Sequence, residues 1–90
     1  MKRLSITVTG RVQGVGYRFF AQEAADALGV SGWVRNTFHR TVELEAQADE
    51  RTLEDFCSRL REGPVLAHVA DLNVLECPVI PDETCFEVRG

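Results

Sequence analysis

The residues best suited to chemistry lie in one stretch, "GRVQGVGYR", Gly10 to Arg18. Glycine tolerates positive φ and close ligand approach, so successive backbone N–H groups along Gln13, Gly14, Val15, Gly16 and Tyr17 can turn toward one centre. Where a helix follows such a loop, its first N–H groups lack internal partners and carry the positive end of the helix dipole. Arg18 then stands where acidic side chains are favoured. A cation there is unfavourable unless an anion sits between it and the amides, and a guanidinium is shaped to grip two phosphate oxygens. The chemistry indicated is phosphate binding. A second reading fits the same residues: a Gly-rich turn making a tight strand-to-helix connection, with Arg18 an ordinary surface residue. Spacing alone leaves both open.

The run is neither a Walker loop nor a dinucleotide fingerprint. No Lys-Ser/Thr follows the glycines, and Phe19 stands where a third glycine would be needed. A second polar candidate is Asn36, which closes "GWVRN". An amide can orient a water through both its C=O and its NH₂. Asparagine is also common at strand ends, where it stabilises a hairpin. Neither His39 nor His68 is near a cysteine in sequence, and no C-x-x-C occurs, so no metal-type spacing is present. Cys57, Cys77 and Cys85 read as reduced thiols of a cytosolic protein. Spacing alone does not support a Cys77–Cys85 disulfide in the tail, and whether those two pair stays open.

These residues need elements to position them. Leu4, Ile6 and Val8 alternate with Ser5, Thr7 and Thr9, the pattern of a half-buried strand leading into the loop. "RFFAQEAADALG" reads as a helix, with Phe20, Ala24, Ala27 and Leu28 on one face and Gly29 as its stop. "VSGWVRN" is a second strand, with Val30, Gly32, Val34 and Asn36 on one face and Trp33 and Arg35 on the other. "TVELEAQ" is a third, with Val42, Leu44 and Ala46 inward and Glu43, Glu45 and Gln47 outward. Asp49 caps a second helix, "ERTLEDFCSRLRE", whose stripe is Leu53, Phe56, Cys57 and Leu60 and whose end is Gly63-Pro64. "VLAHVADLNVLE" is a fourth strand, "CPVIPDET" a loop, and "CFEVR" can add a short fifth strand. The order β-α-β-β-α-β predicts an α+β, ferredoxin-like fold: a four-stranded antiparallel sheet with both helices on one face.

Ninety residues make one domain, residues 1–90. A hydrophobic fraction of 44% with 27% charged residues is globular composition and excludes disorder. No apolar run suits a membrane span, and "MKRLSITVTG" alternates where a signal peptide would be unbroken, so a cytoplasmic protein is expected. The net charge of −4 disfavours nucleic acid as a partner. Residues 1–40 nevertheless carry Lys2, Arg3, Arg11, Arg18, Arg35 and Arg40 against only Glu23 and Asp26. That local excess suits a small anionic ligand if the fold gathers it.

"GRVQGVGYR" resembles the first signature of the acylphosphatase family, G-x-V-Q-G-V-x-[FY]-R, at every fixed position, and "GWVRN" resembles the start of the second. "FEVRG" is similar to the family's last strand, and the element order is the family's. The resemblance implies hydrolysis of small acyl phosphates to a carboxylate and inorganic phosphate, without metal or other cofactor. It implies that Arg18 and the amides of Gln13, Gly14, Val15, Gly16 and Tyr17 bind the phosphoryl group and that Asn36 positions the attacking water. It implies no role for His39 or His68. Trp33 and Phe38 read as packing or turn cover, and Tyr17 as packing under the loop. A monomer is the default expectation, with no nucleic-acid or membrane partner.

Two positions depart from the pattern. Arg40 and Ala48 stand where the second signature usually continues with glycine. A side chain at a position that needs positive φ costs roughly 1–2 kcal/mol. Two other readings stay open. One is a carbamoyl-phosphate-hydrolysing domain like the N-terminal domain of hydrogenase-maturation carbamoyltransferases. The other is a non-catalytic anion-binding regulatory module.

Overall fold

The alternation of Leu4, Ile6 and Val8 produces a central strand that buries Ile6 and Val8 completely. A computed structural model describes residues Met1–Gly90. Its strands are β1 (Lys2–Arg11), β2 (Ser31–Asn36), β3 (Val42–Ala48), β4 (His68–Cys77) and β5 (Phe86–Arg89), and its helices are α1 (Tyr17–Leu28) and α2 (Glu50–Glu62). The sheet order is β4-β1-β3-β2-β5. β1 pairs antiparallel with β3 and β4, and β2 antiparallel with β3.

The four expected strands are antiparallel, and the short fifth strand is present: β5 forms the far edge and runs parallel to β2. The chain leaves β4 at one edge and must reach the other. Residues 78–85 make that crossing over the sheet face opposite the helices. There the Gln47 side-chain amide accepts from the Ile80 N–H and donates to the Ile80 carbonyl, each at 2.8 Å. Arg3 donates to both carboxylate oxygens of Glu83, at 2.7 and 3.2 Å, and to Glu45 at 2.7 Å. Arg3 is fully buried and Gln47 nearly so. Gln47 does point away from the helices, as its parity requires, but it is covered rather than solvated.

α2 is as its sequence predicts. The Asp49 carboxylate accepts from the Thr52 N–H at 2.8 Å, and Leu53, Phe56, Cys57 and Leu60 are all buried. α1 differs in phase: Tyr17, Ala21, Ala24 and Ala25 are buried, whereas Ala27 is exposed. A row of alanines lets the helix lie close on the sheet, and bulky Phe20 is displaced to the flank. There it packs beside the Tyr17 ring at 6.0 Å and under the Arg59 guanidinium at 5.9 Å. Trp33 lies on the other sheet face with Arg35 and Arg89 over its ring. Phe38 is fully exposed and covers no turn. Cys57, Cys77 and Cys85 are free thiols. No helix is long and apolar enough to cross a membrane.

Candidate active site

The loop between β1 and α1 begins at a β-bulge. Register with β4 shifts between Thr9 and Gly10. A Cβ on Gly10 would stand 2.1 Å from the His68 carbonyl oxygen, so a larger residue there would push the two strands apart. The later glycines serve another purpose. Gly14 and Gly16 have φ of 73° and 78°, and a Cβ on either would meet nothing within 4 Å. They are needed for backbone direction, since left-handed φ is costly for other residues.

Gly16 is also the N-cap of α1. It offers no side-chain cap, and the first turn holds no acidic residue. The first α1 bond runs from the Phe20 N–H to the Gly16 carbonyl, at 3.1 Å. No backbone N–H from Gln13 through Phe19 donates a hydrogen bond within the chain. A run of free amides at the positive end of a helix is a site for an anion. A cavity of about 200 Å³ lies there, lined by Val12, Gly14 and Gly16 of the loop, by Tyr17, Arg18 and Phe19 of the first turn, and by Asn36.

Arg18 and Asn36 therefore share one cavity with the loop. The Arg18 guanidinium is turned toward the end of β5, where Nη1 donates to the Gly90 carbonyl at 2.8 Å and less closely to that of Arg89. Its Nε and Nη2 have no acceptor in the chain. Asn36 is the last residue of β2, paired in register with Val42 and on the same face as buried Val34. Its half-buried amide makes no side-chain hydrogen bond within the chain.

Gln13 does something composition did not show. Its Nε2 donates to the carbonyls of Thr37 and Thr41, at 2.9 and 2.8 Å. The loop is thereby fastened to the β2–β3 hairpin that carries Asn36. The hairpin closes on itself through Thr37 N–H to Thr41 carbonyl at 3.0 Å and a 2.7 Å contact between the two threonine hydroxyls. Sequence reasoning passed over Thr37 and Thr41, although a threonine at each end of "TFHRT" was a visible signal. Tyr17 is buried as expected, and its hydroxyl donates to the Leu60 carbonyl at 2.7 Å, tying α1 to α2. Burial pushes the Tyr17 phenol well above its ordinary range. Val15 packs against the core.

Of the two substituted glycine positions, only one is strained. Arg40 sits in the hairpin at φ 62°, in the left-handed region, and it is the one non-glycine residue there. Ala48 lies in regular pairing with Lys2 at the end of β3. His39 and His68 are exposed and neither lines the cavity beside Arg18. No group of three or more His, Cys, Asp or Glu side chains gathers where it could hold a metal ion.

The family model described as Acylphosphatase matches residues 4–88. The chain belongs to the acylphosphatase family. It is 44% identical over 88 residues to an acylphosphatase of Methylococcus capsulatus, covering 98% of this chain and 96% of that one. The crystal structure of acylphosphatase from Bacillus subtilis superposes with a TM-score of 0.95 at 34% identity, each chain covered in full. Full-length HypF, in a phosphate- and nucleotide-bound crystal structure, matches with a TM-score of 0.90 at 28% identity; the match covers 99% of this chain but 12% of that one. The acylphosphatase fold thus also stands within a much longer protein. Membership of an acylphosphatase family gives the reaction class, hydrolysis of an acyl phosphate.

Proposed function

We propose that this chain hydrolyses small acyl phosphates, with the phosphoryl group held by the amides of the Gln13–Tyr17 loop and by Arg18, and the attacking water held by Asn36. The observation that carries this reading is the coincidence in one cavity of free loop amides, an arginine and an amide side chain. The transferred phosphoryl spreads charge over three equatorial oxygens, and fixed donors aimed at them lower the barrier. The two free donors of the Arg18 guanidinium suit a two-oxygen grip.

Water attacks phosphorus in line as the bond to the acyl oxygen breaks, and the carboxylate departs with that oxygen and the bonding pair. A carboxylate needs little protonation to leave, so a general acid is not required. Asn36 cannot act as a base at neutral pH. The water's proton passes to a phosphate oxygen of the substrate, and the pH–rate profile then lacks a mid-range protein pKa. Asn36 contributes by orientation, which is worth orders of magnitude when attack geometry is fixed.

The test is a panel of acetyl, benzoyl and carbamoyl phosphate, with ATP and simple phosphate esters as controls. Turnover of acyl phosphates alone supports the proposal, and the relative rates place carbamoyl phosphate within or outside the range. Saturable phosphate binding without turnover of any acyl phosphate would make the chain a binding module instead.

A further inference from the structure

The basic excess of residues 1–40 is divided unevenly by the fold. Lys2 pairs with Glu50, Arg3 with Glu45 and Glu83, and Arg35 with Glu43. Arg18 is turned to the end of β5. Arg11 and Arg40 are left, and neither makes an ion pair or a side-chain hydrogen bond within the chain. Both line an adjoining cavity of about 470 Å³ with Gly10, Gln13 and Val12, the last of which also borders the cavity beside Arg18. Arg11 comes from the last position of β1 and Arg40 from the β2–β3 turn, so two arginines from distant segments line one cleft.

Two like charges in a shared cleft repel, and the cost falls when an anion lies between them. The chain also holds Arg40 at φ 62°, where glycine would be relaxed. We propose that the Arg11–Arg40 cleft is a second oxyanion site, distinct from the cavity beside Arg18, which takes a small ligand carrying two or more negative charges on phosphate or carboxylate groups. The planar donor fork of each arginine matches such oxygens. The cleft has a single apolar residue, Val12, and no aromatic side chain on which a base could stack. This excludes the apolar ligands and disfavours single-stranded nucleic acid. The site also has a structural consequence. A bound anion joins the end of β1 to the hairpin turn, across the junction that Gln13 already bridges, and so stiffens the segment carrying Asn36.

The test uses inorganic pyrophosphate and the full chain carrying Arg18→Ala, so that the first cavity has lost its guanidinium. Calorimetric titration is expected to show saturable 1:1 binding that raises Tm. Adding Arg11→Ala and Arg40→Gly should weaken it at least about 10-fold, the scale of losing charge-assisted bonds. Arg11 is exposed and Arg40→Gly relieves backbone strain, so this variant folds, which a thermal melt without ligand verifies. Absence of saturable binding in the Arg18→Ala protein overturns the proposal, and so does binding that survives all three substitutions. Neither outcome depends on Arg18 holding the substrate phosphate, because Arg18 is absent throughout.

Discussion

The side-chain nitrogen of Gln13 lies 2.8 Å from the Thr41 carbonyl and 2.9 Å from that of Thr37, so one amide holds the β1–α1 loop against the hairpin that follows β2. On the proposed mechanism Gln13 positions Asn36 as well as supplying a loop N–H. Replacing it by Ala removes two hydrogen bonds, each worth about 1 kcal/mol. It should lower kcat by roughly 10- to 100-fold, as small misplacements of reacting groups do. Competitive inhibition by phosphate should change little. A raised phosphate inhibition constant with kcat intact would instead put the Gln13 side chain in the cradle itself.

The loop glycines should separate by property. Gly10→Ala forces a Cβ against the His68 carbonyl oxygen and should cost more than about 3 kcal/mol, measured by urea unfolding. Gly16→Ala meets no atom and should cost only ~1 kcal/mol for its left-handed φ. Activity should show the reverse ranking once folded fractions are equalised, because Gly16 directs the free amides and Gly10 supports them from a distance.

Arg40→Gly should stabilise the chain. Relief of left-handed strain gains ~1–2 kcal/mol, and the freer unfolded glycine returns ~0.5–1 of it. A differential melt should show Tm higher by a few °C, since ~1 kcal/mol shifts a domain of this size by roughly 4–8 °C. An unchanged or lower Tm would mean that Arg40 makes a compensating interaction.

The buried face beneath residues 78–85 should be sensitive to acid. Burial alone would raise the Glu83 carboxyl. The hydrogen bonds from Arg3, with the charges of Arg3 and Arg89, outweigh burial and hold it below the usual range. The native state therefore favours the carboxylate more than the unfolded chain does. Its contribution is complete above the ordinary Glu value of about 4.3 and is lost as pH falls through the lower native value. Glu83→Gln should be less stable than the parent at pH 7 by about 2 kcal/mol, with Glu45 still paired to Arg3, and the difference should shrink below pH 4. A constant difference across that window would contradict the assignment.

What the sequence made legible was local. Asp49, the Leu53–Phe56–Cys57–Leu60 stripe and Gly63 define α2 because cap, period and stop agree between Asp49 and Gly63. Gly14, Gly16 and Arg18 could be singled out because closely spaced glycines followed by a cation are unusual before a helix, whereas Asn36 is a common strand-end residue and took its role from the resemblance of "GWVRN" to the second signature. The phase of α1 was not fixed, since its apolar residues spread over more than one face and period alone does not choose between Phe20 and Tyr17. The parallel edge strand and the buried Arg3–Glu83 pair were hidden for a different reason. Alternation assigns Arg3 and Gln47 to the face away from the helices but does not say what lies over that face. The covering segment lies 80 residues from Arg3 and 33 from Gln47 along the chain, beyond the reach of a local pattern.

The central claim is that main-chain hydrogens and Arg18 hold the phosphoryl group. The most direct measurement is an amide-resolved ¹H–¹⁵N titration with inorganic phosphate. Saturable shifts should concentrate from Gly14 to Phe19, fit one dissociation constant across those amides, and disappear from them in Arg18→Ala. Loop amides that stay unmoved while phosphate binds elsewhere, or that respond identically without Arg18, would contradict it.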